Sequence, residues 1–263
     1  MAALERFRIP LEPGVEGTPS GVWWGRHWAE VRWQAQFAQL LVDPLFRGHG
    51  VPRGDGRPVV LIPGFLAGDY TLGVLGGWLS RIGYESRGSG IRFNVDCFDR
   101  GLDRLEERVE GLRETSGRRV ALVGHSRGGH FAKALASRRP EWISHVVSMG
   151  AGLDEPFAVS APIIAVARGV GAVHGRRTTG AAPAGCMTSE CGCRAFRDYR
   201  APFPAAVPLT SIYSRSDGCL RWQSCVVPYA DNVEVGGSHV GLAFERRSYA
   251  AIARALAAPE RAA

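Results

Sequence analysis

The chain has 263 residues, 45% hydrophobic and 22% charged, a balance that excludes an intrinsically disordered protein and suits one α/β domain with an insertion. Its formal charge of +7 would favour acidic partners, but the basic residues fall in scattered pairs such as Arg118-Arg119 and Arg138-Arg139, with no continuous stripe for nucleic acid. No window has the ~18 consecutive apolar residues of a membrane span, and the opening MAALERFRIPLEPG lacks the apolar run of a secretory leader. The expectation is a cytoplasmic protein, with a mature secreted form left open.

From Gly21 to Leu45, apolar residues recur at helical spacing (Val22, Trp23, Trp24, Trp28, Val31, Phe37, Leu40, Leu41), which predicts an amphipathic helix packed on its own domain. Its aromatic face also suits a lipid surface, the less favoured reading. The stretch RGHGVPRGDGRP reads as a linker, with Arg53-Gly54-Asp55 as a turn. A β/α alternation then begins. Pro58 to Ile62 is a continuous apolar run, as expected of a strand buried on both faces of a parallel sheet. A helix over 71–82, a strand over 84–89 and a charged helix over 101–115 follow; the Glu/Arg pairs of that helix read as a solvated face.

Residues 119–123 predict a strand, 124–129 a tight turn, 130–137 a helix and 142–149 another strand. Residues 155–206 lose the alternation and become rich in Ala, Gly and Arg, where a cap or lid would be inserted. The pattern resumes with strands over 207–213 and 232–235 and a last helix over 242–256. The fold class is therefore α/β: a mostly parallel central sheet, helices on both faces, and an insertion. The expected division is 1–56 as an N-terminal helix and linker, 57–154 with 207–263 as the catalytic body, and 155–206 as the cap. The six cysteines (Cys97, Cys186, Cys191, Cys193, Cys219, Cys225) fit no zinc spacing and read as free thiols, although a disulfide among Cys186, Cys191 and Cys193 is conceivable in an oxidising compartment.

Gly124-His125-Ser126-Arg127-Gly128 places a serine between an apolar strand and a helix, where a sharp turn needs flanking glycines. A serine hydroxyl needs a base, and that base needs an acid to hold its tautomer. Downstream, Asp217 sits in a turn after one predicted strand and His239 in a turn after the next, so both fall at strand carboxyl ends, where open α/β sheets place their ligands. Asp154 is the rival acid, but Asp154-Glu155-Pro156 reads as a helix cap. The remaining histidines are assigned to surface or core. The backbone amides of Phe65 and Arg127 are the expected oxyanion donors, with Leu66 as second choice for the first. Leu66 and His125 are candidate substrate contacts, and the Arg127 side chain reads as solvent-facing.

Taken as a set, PVVLIPGF, VALVGHSRGG, IYSRSDG and GGSHVGLA resemble the α/β-hydrolase superfamily, in particular bacterial serine esterases and lipases, over residues 57–257 and more weakly through 155–206. The chain departs from many lipases at Pro63, where they carry His. The resemblance implies carboxylic-ester hydrolysis through Ser126, His239 and Asp217, with no metal or organic cofactor and a small-molecule or lipid ester as substrate. An acyltransferase, a thioesterase or a cofactor-free peroxidase would run on the same triad, and a non-catalytic binding protein is the alternative of another class. Trp23, Trp24, Phe65 and Leu66 are expected to line an acyl pocket.

Overall fold

The computed structural model describes residues 25–177 and 192–259. Segments rich in aliphatic residues form the strands Pro58–Ile62 (β1), Val120–His125 (β3), Ile143–Met149 (β4) and Leu209–Tyr213 (β5), and two polar segments form the edge strands Glu85–Gly88 (β2) and Asp231–Glu234 (β6). They pair in the order β2-β1-β3-β4-β5-β6, every pair parallel. The helices are Trp33–Val42 (α1), Gly73–Arg81 (α2), Phe98–Ser116 (α3), Arg127–Arg138 (α4), Ala161–Arg177 (α5), Arg194–Arg200 (α6) and Arg246–Ala257 (α7).

Successive side chains of a strand point to opposite faces, and the two hydrophobic clusters divide accordingly. Val59, Leu61, Ala121, Val123 and Val147 pack with Trp78, Leu79, Tyr249 and Ile252 of α2 and α7. Val60, Ile62, Leu122 and Val146 pack with Leu102, Leu105, Phe131, Leu135 and Phe196 of α3, α4 and α6. Both faces are covered, which is why β1 and the 120–123 part of β3 are continuously apolar and why every residue of β4 is buried, Ser144, His145 and Ser148 included. Each buried aliphatic side chain contributes roughly 1.5–3 kcal/mol by leaving water.

Several local expectations are corrected. The helix expected over 21–45 is, within the described residues, a 3-10 turn at His27–Arg32, then α1, then a second 3-10 turn at Pro44–Arg47. Pro44 ends α1, because the residue before a proline is driven out of the helical region; Asp43 is extended, and its Oδ1 accepts the Leu45 amide at 2.9 Å. The 53–56 stretch is tied down, since the Gly54 and Gly56 amides donate to Ile82 O and Gly83 O. Asp55 bonds Arg57 and Arg118, whose guanidinium groups hold its carboxyl well below the usual carboxylate range. The segment between β4 and β5, expected without pattern, contains α5 and α6. Asp154 caps no helix, because α5 starts only at Ala161; it pairs with Lys133 (3.1 Å) and accepts from the Tyr229 hydroxyl. Asp103 and Glu106 on α3, read as solvated, bond Arg138 of α4 at 2.9 and 2.7 Å. Among the described residues no helix is long and apolar enough to cross a membrane. Cys97, Cys193, Cys219 and Cys225 are buried, while Cys186 and Cys191 lie outside the described residues.

Candidate active site

The strand order reverses between β1 and β3, and the loops leaving the carboxyl ends of these two neighbours diverge there. Ser126 sits on the loop from β3. The turn is tighter than expected: β3 runs through His125, α4 starts at Arg127, and Ser126 alone carries the reversal at φ 52°, ψ −124°. A non-glycine residue persists in that region only where its surroundings over-determine it. Here the Ser126 amide donates to Met149 O (2.8 Å) and its carbonyl accepts from the Gly129 amide (2.8 Å). A Cβ on Gly124 would collide with the Gly128 carbonyl, and one on Gly128 with the Ile62 carbonyl, so strand and helix could not approach otherwise.

Asp217 and His239 come from the loops after β5 and β6. The His239 Nδ1–H donates to Asp217 Oδ2 at 2.7 Å, and the side chains are 9% and 1% exposed, so the pair is screened from water. Asp217 Oδ1 accepts the amides of Cys219 (2.8 Å) and Leu220 (2.9 Å), leaving the carboxylate no freedom to turn. Burial pushes the His239 imidazole down, but the charge and hydrogen bond of Asp217, with a contribution from Glu30, outweigh it and leave the pKa above its ordinary value. With Nδ1 committed to Asp217, Nε2 is the nitrogen left to accept a proton.

Ser126 and His239 both line one cavity of about 680 Å³, within the size range of small-molecule sites. No hydrogen bond joins Ser126 Oγ to the His239 ring; such bonds are often long before substrate binds. The wall is mostly apolar, with Phe65, Leu66, Phe98, Phe157, Ile163 and Phe244 among its residues. Trp23 and Trp24, expected in this pocket, lie outside the described residues; the N-terminal segment instead contributes Trp33, whose ring is 5.5 Å from that of Phe244. His125 lines the cavity, and its Nε2–H donates to the His239 carbonyl at 2.9 Å. Burial and the neighbouring His239 push its pKa down to about 4, so it stays neutral.

The loop after β1 carries Phe65 and Leu66. The Leu66 amide donates to Asn94 O (3.2 Å), so the second-choice oxyanion donor is already engaged, whereas among the described residues no carbonyl accepts from the Phe65 amide. Asn94 Nδ2 donates to Pro63 O at 2.8 Å, which holds this loop where many lipases carry His in place of Pro63. Arg127 opens α4, so its amide belongs to the first helical turn, where the helix dipole favours negative charge. Its side chain is not solvent-facing as expected. The guanidinium donates to Asn94 Oδ1 (2.7 Å) and Asp96 O (2.6 Å), stitching the elbow to the 94–96 loop.

Glu30 is the residue that sequence reasoning missed. From the 3-10 turn before α1, its Oε1 accepts the amides of Gly218 and His239 (both 3.0 Å), and its Oε2 accepts that of Val240 (2.8 Å). Nothing in HWAEVR signals this, because its partners lie at the far end of the chain. Glu30, Asp217 and Cys219 bring donor atoms within 4.8 Å of one another, but both carboxylates are occupied by N–H groups, so the trio is a hydrogen-bond hub and a poor metal site.

No family model matches the sequence, and no curated protein matches it. Solved structures do. The mature form of the lipase BlEst2 from Bacillus licheniformis superposes with a TM-score of 0.56 at 15% identity, over 79% of this chain and 94% of the lipase. An alpha/beta hydrolase from Novosphingobium aromaticivorans matches with 0.50 at 19% identity, over 78% of this chain and 91% of that one. The chain has the α/β-hydrolase fold. Lipase B of Aspergillus fumigatus is also similar (TM-score 0.55, 15% identity), over 80% of this chain and 55% of the lipase. Within the α/β-hydrolase fold of this chain, Ser126, Asp217 and His239 all lie on loops at the carboxyl edge of the sheet.

Proposed function

We propose that the chain is a serine hydrolase of carboxylic esters, acting through Ser126, His239 and Asp217 by way of an acyl-enzyme. The observation that carries this reading is the buried Asp217–His239 pair opening, together with the strained Ser126, onto one apolar cavity. In this mechanism Ser126 Oγ attacks the ester carbonyl while its proton passes to His239 Nε2. The oxyanion forms against the amides of Phe65 and Arg127. His239 returns the proton to the departing alcohol, then takes one from water, and the resulting hydroxide equivalent releases the acid and restores Ser126.

The substrate class follows from the walls. Phe65, Leu66, Phe98 and Phe157 favour an apolar acyl or alcohol group, and Leu66 and His125 are the proposed contacts nearest the reacting carbonyl. The guanidinium of Arg127 is held by the carbonyl and amide oxygens of the 94–96 loop, which gives it a structural role. Residues 155–206 are proposed as the cap, since Phe157, Val159, Ile163 and Ala167 wall the same cavity.

Release of p-nitrophenol from acetate, butyrate, octanoate and palmitate esters tests this, with Ser126→Ala as the control. Turnover should fall about 10⁶-fold in Ser126→Ala, as when a serine nucleophile is removed. Equal rates in both proteins would sink the reading.

A further inference from the structure

We propose that Glu30 is a positioning residue of this site: its carboxylate clamps the Asp217 loop to the His239 loop, making the N-terminal segment part of the catalytic apparatus. The inference rests on the triad reading above and adds a fourth member to it. One carboxylate accepts three backbone N–H groups, from Gly218 beside the acid and from His239 and Val240 at the base. A carboxylate has about four lone-pair sites, so three are filled, and bonds to a charged acceptor are stronger than neutral ones. What Glu30 grips is the backbone of the base itself. Any slip there displaces Nδ1 from Asp217 Oδ2, a bond now at 2.7 Å.

The segment carrying Glu30 is itself pinned on both sides. The Arg26 amide donates to Gly218 O at 2.9 Å, and His27 Nε2 bonds Ser160 Oγ at 2.9 Å. Gln36 Oε1 accepts from the Ser238 hydroxyl at 3.3 Å, next to the histidine. The charge of Glu30 also acts on the ring, because it sits with Asp217 on the acid side of the imidazole and stabilises the protonated form. The titratable groups around that ring are Asp217, Glu30, His125 and Cys219. Burial holds the Cys219 thiol far above its usual range and His125 stays neutral, so Asp217 and Glu30 supply the charge.

Phosphonylation of Ser126 by a fluorophosphonate, followed against pH, tests this without knowledge of the substrate. Wild type, Ser126→Ala, Glu30→Gln, Glu30→Asp and Glu30→Ala are compared, each with a thermal melt. Glu30→Gln keeps the shape and loses the charge, so the acid limb should move down by about half a pH unit or more. Glu30→Asp keeps the charge and shortens the reach, so the limb should stay while the limiting rate falls. Glu30→Ala should lose about 10- to 100-fold in limiting rate, the scale of a small misplacement of a reacting group. A lower Tm with unchanged rate and limb in Glu30→Gln and Glu30→Asp would make Glu30 a structural staple and overturn the proposal. If Glu30→Gln does not fold, a wild-type rate in Glu30→Asp overturns it and a slower rate with the limb in place supports it. No labelling of wild type, or equal labelling of Ser126→Ala, would bring down the triad reading and this inference together; Ser126-dependent labelling unaffected at residue 30 would bring down this inference alone.

Discussion

Two clusters of buried charge use the same kinds of side chain for opposite ends. At the site, Glu30 and Asp217 are satisfied almost wholly by backbone amides, with His239 Nδ1 as the one side-chain donor between them. At the other end of α4, Arg138 is 4% exposed and bonds Asp103, Glu106 and Asp198 at 2.7–2.9 Å, joining α3, α4 and α6. Ser126 and Arg138 are separated by the length of that helix, about 18 Å. Amides of a loop are fixed dipoles and hold an acceptor in one place, whereas side-chain partners adjust to one another. In the proposed mechanism the first arrangement positions a reacting group, and the second fastens helices.

The comparison fails if the two clusters respond alike to loss of charge. The largest difference is expected at Asp217. Asp217→Asn keeps the shape but can present an N–H to His239 Nδ1, favouring the wrong tautomer, and kcat/KM should fall about 10⁴-fold while the protein remains folded. Steady-state kinetics with a urea melt would check both halves. Arg138→Leu should do the converse. Removing one partner leaves the half-buried Glu106 and Asp198 without this cation, and the loss should be about 1–3 kcal/mol, because both are partly exposed, Asp103 is 62% exposed and Glu106 keeps Arg139. The fluorophosphonate labelling rate of the folded fraction should match wild type. A stable Arg138→Leu, or a slow one at full stability, would erase the distinction.

The difference between the clusters also explains what could be read in the sequence. Ser126, Asp217 and His239 could be proposed from the sequence because each is marked locally, by flanking glycines, a preceding strand and chain order. β1 and β3 were legible from their continuous apolar runs, as a strand covered on both faces favours, and β4 from Ile143, Val146, Val147 and Met149 despite its buried Ser144, His145 and Ser148. Glu30 was not, because its partners lie 188 to 210 residues away and its neighbours Ala29 and Val31 read only as part of an amphipathic run. The Arg127 side chain was misread because a charged residue in a tight turn looks solvent-facing, while Asn94 and Asp96 arrive from an unrelated loop. The start of α4 was placed three residues late, at 130 instead of 127, because two glycines at its head argue for a turn until Ile62 and Ser148 are seen to demand them. α5 was hidden by its glycines, which weaken helix propensity by about 1 kcal/mol each relative to alanine.

The smallest effect concerns the two adjacent imidazoles, whose ring centroids are 5.0 Å apart. His239 is raised above the ordinary 6.5, because Asp217 and Glu30 outweigh its burial, and in the proposed mechanism it acts as a base only when neutral. Activity should therefore decline as pH falls through a value above 6.5. His125 is lowered to about 4 by burial and by His239, so it takes up no proton across that limb. The linkage signs oppose each other. His239 contributes stability that is complete below its unfolded value and is lost as pH rises through its raised folded value. His125 contributes stability present above its unfolded value and lost as pH falls toward about 4. The acid limb of log kcat/KM should accordingly have a slope of about 1, one proton, down to the region of His125. A slope of 2 near neutrality would mean that His125 titrates with His239, and the contrast between an amide-held base and its neutral neighbour would then be wrong.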